Sequence, residues 1–142
     1  MADLRQAAQF WSTGKSDEAL KLIDGRIARG DKSVQMLAGR GQSLMLLDRM
    51  DEASSAFDQA LASDSRFPMA ILGKAQVLQR QGRFDDALIL YDRMVLLFPD
   101  KAESYTMRAG ARVAAGQYDG ALADLGVAIA KQPDNVEART MR

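Results

Sequence analysis

Residues Pro68–Lys101 read PMAILGKAQVLQRQGRFDDALILYDRMVLLFPDK, and this stretch decides the fold. Pro68 opens a helix at the position where proline is tolerated, because the N–H it lacks would have no intrahelical partner there. Ile71, Ala75 and Leu78 follow at i, i+4 and i+7, an apolar stripe along one side. Gly82 ends the helix in the manner of a C-terminal glycine. Asp85 and Asp86 fall in the first turn of a second helix, where negative charge complements the dipole. Ala87, Leu88, Tyr91, Met94 and Val95 line one side of it, and Pro99-Asp100 closes the stretch. The segment is one helical hairpin.

The hairpin recurs in both directions with a period of 34 residues. Ala19, Ala53, Ala87 and Ala121 stand 34 apart, as do the small residues Ala7, Gly41, Ala75 and Ala109 and the aliphatic Ile27, Leu61, Val95 and Ile129. A recurrence of this length marks stacked helical pairs. The fourth copy carries Tyr105, Ala109, Gly116, Tyr118, Ala121, Leu125, Ala128, Ile129 and Pro133. The second carries Leu37, Gly41, Leu44, Met50, Ala53, Phe57, Ala60 and Leu61, with Asp48 and Ser65 at the turns. The first is the loosest: Ala7, Phe10, Gly14, Ala19, Ile23 and Ile27 keep the frame, but Asp3 stands where an aromatic is usual.

The pattern predicts helices near 2–13, 16–29, 33–47, 50–63, 67–81, 84–97, 101–115 and 118–131. The expected architecture is an all-α right-handed α-solenoid of about four hairpins, forming a single domain over 1–142. The repeats fall at approximately 1–33, 34–67, 68–101 and 102–135, with 136–142 beginning a capping or further helix. Small residues at Gly41, Ala75, Ala53 and Ala87 let the paired helices approach closely. Gly25, Gly39, Gly73 and Gly126 sit inside predicted helices at some cost and offer further close approach.

These positions resemble the tetratricopeptide repeat, whose pattern is an aromatic, then Leu-Gly, a Tyr, an Ala, an aromatic and a Pro. The resemblance covers nearly the whole chain. Departures are Gln6, Arg40, Lys74 and Arg108 at the leucine of the Leu-Gly pair, and Arg112 at the tyrosine position. It implies a concave face lined by first helices that takes a protein or peptide segment. Carried across, the groove residues are Leu4, Trp11, Gln42, Met45, Met69, Leu72, Gln76, Gln79 and Met107, with Leu46 and Arg80 beside them. An apolar lining with methionines and amides between suits an amphipathic helix or apolar extended segment. The Lys/Asn/Arg clamp that one sub-family uses for acidic C-termini is missing, since Leu4, Ala8, Gln42 and Gln76 occupy corresponding positions. Arg80 and Arg112 are the cations expected to border the groove.

Composition narrows the function. The 142 residues are 47% hydrophobic, enough for a substantial core. Lys+Arg and Asp+Glu both number 19, without cationic clusters, which argues against nucleic acid. No apolar run reaches a membrane span and no signal peptide opens the chain, so the reading is a cytoplasmic protein without membrane insertion. Cysteine and histidine are absent, which removes thiolate chemistry, the commonest general base and the commonest metal ligand. Only carboxylate chemistry or oxygen-ligated Ca²⁺ or Mg²⁺ stays open. The acidic pairs Asp17-Glu18, Asp51-Glu52 and Asp85-Asp86 recur in phase at the starts of second helices, which reads as capping and dipole complementation. No phosphate-binding loop surrounds the glycines.

The expected function is therefore a non-enzymatic protein-interaction scaffold without cofactor or metal. Competing readings are a substrate-recruiting domain of a larger enzyme and a secretion chaperone of the same repeat class. Self-association through the C-terminal end is a further expectation.

Overall fold

The structure, a computed structural model, describes residues 2–131. Among these residues every regular element is a helix: α1 (Ala2–Ser12), α2 (Ser16–Ala28), α3 (Val34–Leu46), α4 (Met50–Ser63), α5 (Pro68–Arg80), α6 (Phe84–Leu97), α7 (Ala102–Ala114) and α8 (Tyr118–Lys131). Each lies within one residue of its expected bounds. The expected start of a further helix at 136–142 lies outside the described residues. No described helix is long and apolar enough to cross a membrane.

Turn chemistry punctuates the helices as the period requires. Gly14, Gly82 and Gly116 follow α1, α5 and α7 with φ of 75°, 77° and 78°. The equivalent residue after α3 is Asp48, which adopts φ 61° without being glycine. The acidic pairs lie in the first turns of α2, α4 and α6. They do not cap. The N-caps are Lys15, Arg49 and Arg83, none with a side-chain cap bond. Arg49 instead pairs with Glu52 and Arg83 with Asp86, one turn on. The acids therefore act on the dipole and on the basic residue just outside the helix.

Two compact units are defined, Met1–Val77 and Leu78–Arg142. In the first, α1 packs on α2, α2 on α3 and α3 on α4, and α1 also touches α3. One cluster joins Ala7, Ala19, Ile23 and Met36, with Leu4, Phe10, Trp11 and Ile27 against it. A larger one joins Leu20, Leu44, Met45, Phe57 and Val77 with five alanines. Phe57 is wholly buried between two glycines. A Cβ added to Gly41 would stand 2.7 Å from its ring, and one added to Gly73 would stand 2.2 Å from it. Of the other glycines inside helices, Gly39 would meet Ile23 at 3.1 Å, whereas Gly25 and Gly126 have open space at their Cβ positions. Close approach thus accounts for Gly39 and Gly73 but not for Gly25 or Gly126.

In the second unit α6 packs on α7 and α7 on α8. Ala109, Ala121 and Leu125 form its apolar centre, and Ala87 is fully buried. Charge reaches inside here. Asp124 is 2% exposed; Arg108 Nε and Nη2 donate to it at 3.0 and 2.7 Å, and Arg112 Nη1 donates at 2.9 Å.

Candidate peptide-binding surface

The residues expected to line a groove fall on the first helices of the hairpins, and their surroundings differ sharply. In the first unit, α3 presents Gln42, half-buried, and Leu46, exposed, one turn apart. On α5, Met69 is 38% exposed, while Leu72 and Gln76 are half-buried at i+3 and i+7. These five make two apolar-and-amide stripes reached by solvent.

Three expected groove residues of this unit sit elsewhere or do a second job. Met45 is 2% exposed and belongs to the core with Leu44 and Phe57. The helix α3 has α1, α2 and α4 around it, so its buried arc is too wide for a simple inside–outside split. Leu4 lies against the core cluster of Ala7 and Ile23. Trp11 packs on the same cluster, and its Nε1–H donates to the Ser43 hydroxyl at 2.8 Å. That hydroxyl donates in turn to the Gly39 carbonyl at 3.1 Å. Trp11 therefore ties α1 to α3 through a buried serine, satisfying both polar groups.

In the second unit Met107 is half-buried on α7, with Val113 exposed on the same helix. Gln79 accepts a hydrogen bond from the Tyr91 hydroxyl at 3.1 Å, and burial pushes that phenol's pKa up. Arg112 is not a groove cation. It is held by Asp124 and by the Gly120 carbonyl at 3.3 Å, because Asp124 at an otherwise apolar repeat position demands a partner.

A second pattern was absent from the sequence reading. The cations that displace the family's leucine each pair with an aspartate sixteen residues earlier: Arg40 with Asp24 at 2.9 Å, Lys74 with Asp58 at 2.6 Å, and Arg108 with Asp92 at 3.1 Å. Each pair joins the second helix of one hairpin to the first helix of the next. The signal was present, since both the acids and the bases recur in phase.

Comparison with known proteins agrees with this geometry. Two family models, both described as tetratricopeptide repeat, match residues 4–66 and 74–142. The chain belongs to the tetratricopeptide repeat family. No curated protein matches it. Among solved structures, it is similar to MamA 41-end from Desulfovibrio magneticus RS-1, with TM-score 0.80, 19% identity, and coverage of 99% of this chain and 79% of that one. It is similar to YrrB, described as a TPR protein with an unusual peptide-binding site, with TM-score 0.79, 18% identity, and coverage of 95% and 70%. It is also similar to the first TPR of Spaghetti (RPAP3) bound to HSP90 peptide SRMEEVD, with TM-score 0.69, 22% identity, and coverage of 78% and 87%. These likenesses establish the all-α repeat fold.

Proposed function

We infer that this chain is a non-catalytic interaction module whose first helices receive an apolar or amphipathic segment of another protein. The observation that carries the reading is the paired stripe of α3 and α5: exposed Leu46 and Met69 with Leu72, and the amides of Gln42 and Gln76 between them. Solvent-facing apolar side chains cost little in the folded chain and gain when a partner covers them. Methionine adapts to varied partner shapes, and the two amides are suited to pairing with a partner's backbone. In the second unit, taken by itself, Met107 and Gln79 are the residues to which the same reading applies.

Support comes from the family. YrrB has a peptide-binding site and the RPAP3 domain holds a peptide. The RPAP3 peptide is acidic, SRMEEVD. The corresponding groove positions here, Leu4, Ala8, Gln42 and Gln76, carry no cation, which turns the preference toward an uncharged apolar partner. Leu46→Glu combined with Met69→Glu tests the reading. Affinity purification with the wild type should recover a stoichiometric partner that the double variant loses, with helicity and Tm unchanged. Equal recovery by both proteins would place binding elsewhere.

A further inference from the structure

The helix α6 carries two large apolar side chains that stay in water. Ile89 is 61% exposed and Leu96 is 80% exposed. They stand seven residues apart, about two turns, and so lie in line along one face. Both belong to a second helix, so they are separate from the first-helix surface discussed above.

The fold asks for neither, as the sister repeats show. The positions equivalent to Ile89 hold Lys21, Ser55 and Ala123, and those equivalent to Leu96 hold Ala28, Ala62 and Ala130. Leu122 of α8, 52% exposed, is a different case. It is equivalent to Leu20 and Leu88, each 9% exposed, so its position is one that the first and third repeats bury. Ile89 and Leu96 have no such counterparts.

Charge identifies the occupant. Asp92 and Arg93 flank the line from Ile89 to Leu96 on opposite sides, each turned from it by about 50°, and they differ in height by about 1.5 Å. Both are exposed. Asp92 accepts a hydrogen bond from Arg108 Nη1 at 3.1 Å and keeps further acceptor capacity. Arg93 has no ion pair among the described residues. A face with an acid on one flank and a base on the other, at one level, is complementary to itself. A partner surface of one sign would set like charge against one of the two. The chain's formal net charge is zero, so two copies approach without long-range repulsion.

We propose that α6 pairs with α6 of a second copy of this chain about a two-fold axis running parallel to the helix. Ile89 then meets Ile89 and Leu96 meets Leu96, while Asp92 of each copy reaches Arg93 of the other. The antiparallel alternative brings acidic flank to acidic flank and basic to basic, so the charges select the parallel pairing. Helices crossing at about 50° diverge before Asp85, the exposed acid at the start of the same face, and leave it in water.

The test is the mass of the full chain across concentration, by sedimentation velocity. The wild type should pass from monomer to dimer between about 10 μM and 1 mM, as a small interface requires. Ile89→Lys combined with Leu96→Ala installs the residues that the first repeat itself carries, Lys21 and Ala28, and should stay monomeric with Tm unchanged. Arg93→Glu should weaken the dimer about tenfold or more, since it sets a second acid against Asp92. The chain has no cysteine, so single substitutions report the face. Ile89→Cys and Leu96→Cys should each be joined into a covalent dimer by a short bis-maleimide, and Leu122→Cys should not. The proposal is overturned if the wild type is monomeric at about 1 mM, which would assign the face to a different protein. It is equally overturned if the Ile89→Lys, Leu96→Ala variant still dimerises, if Arg93→Glu dimerises like the wild type, or if Leu122→Cys is joined as readily as Ile89→Cys.

Discussion

Gly73 and Gly25 both interrupt helices, and their opposite surroundings make a sharp comparison. A Cβ at Gly73 would sit 2.2 Å from the buried Phe57 ring, whereas a Cβ at Gly25 would meet nothing within 4 Å. Gly73→Ala should therefore destabilise by about 1–3 kcal/mol, because forced repacking outweighs the propensity gain. Gly25→Ala should stabilise by up to about 1 kcal/mol. Urea unfolding of the two variants reads both signs. Asp48 presents the reverse case, a side chain at φ 61° where three sister turns use glycine. Asp48→Gly should raise the urea midpoint, since the left-handed region costs an L-residue about 1 kcal/mol. Asp31 adds a pH effect. The Ser33 backbone N–H above all, with its side chain and Arg26, holds its carboxyl below the usual 3.8. A depressed folded pKa means that the stabilisation is complete above the unfolded value of about 3.9 and fades as pH falls through the folded one. Asp31→Asn should lower Tm slightly at neutral pH and converge with the wild type as pH falls below the folded pKa, which flattens the acid limb of Tm against pH.

Between helices, two kinds of charge pairing act, and burial separates them. The ladder of Arg40–Asp24, Lys74–Asp58 and Arg108–Asp92 places aspartates that are 46%, 58% and 52% exposed against cations on the next hairpin. Water screens such pairs, so Asp58→Ala should cost no more than about 1 kcal/mol. These contacts set how one hairpin registers on the next more than how tightly it holds. Asp124 is different. Its side chain is 3% exposed between Arg108 and Arg112. Its hydrogen bonds are the main reason the Arg108 pKa lies above the usual arginine value. Removing the acid alone leaves the partly buried Arg112 without an ionic partner and Arg108 with only the exposed Asp92, so Asp124→Leu should cost about 3 kcal/mol. The sister positions suggest the rescue. Leu78 and Leu44 stand where Arg112 does, and Leu90 and Leu22 stand where Asp124 does. Arg112→Leu with Asp124→Leu should recover most of the loss, leaving Arg108 on Asp92, and a double-mutant cycle measures the coupling.

For the molecule taken together, stability comes from hairpins covering one another, and Phe57 shows this most directly. Its ring contacts the α3 backbone at Gly41 and the α5 backbone at Gly73, so one side chain on α4 joins three helices. Phe57→Ala should cost about 3–5 kcal/mol, with the loss visible at α3 and α5 amides in hydrogen exchange as well as at α4. Glutamates at Leu46 and Met69 touch no such junction, so stability should be indifferent to them.

The eight helices of the described residues, their bounds and the small residues at their crossings were legible in the 34-residue period, because a stack of equal hairpins imposes the same local demands each time. Ala19, Ala53, Ala87 and Ala121 are each at most 2% exposed. The core positions Ile23, Leu44, Phe57, Ile71, Ala75 and Ala109 were legible as well, but exposure along the first-helix groove positions was not, and one set of phase-equivalent positions shows why. Trp11, Met45, Gln79 and Val113 stand 34 apart. Yet the first is held by Ser43, the second is core, the third takes the Tyr91 hydroxyl, and the fourth is 46% exposed. A period specifies the backbone that each repeat shares. Exposure depends on which neighbours surround that backbone, and those neighbours differ at every repeat, so which of the expected groove residues reach solvent was decided only in the packed chain.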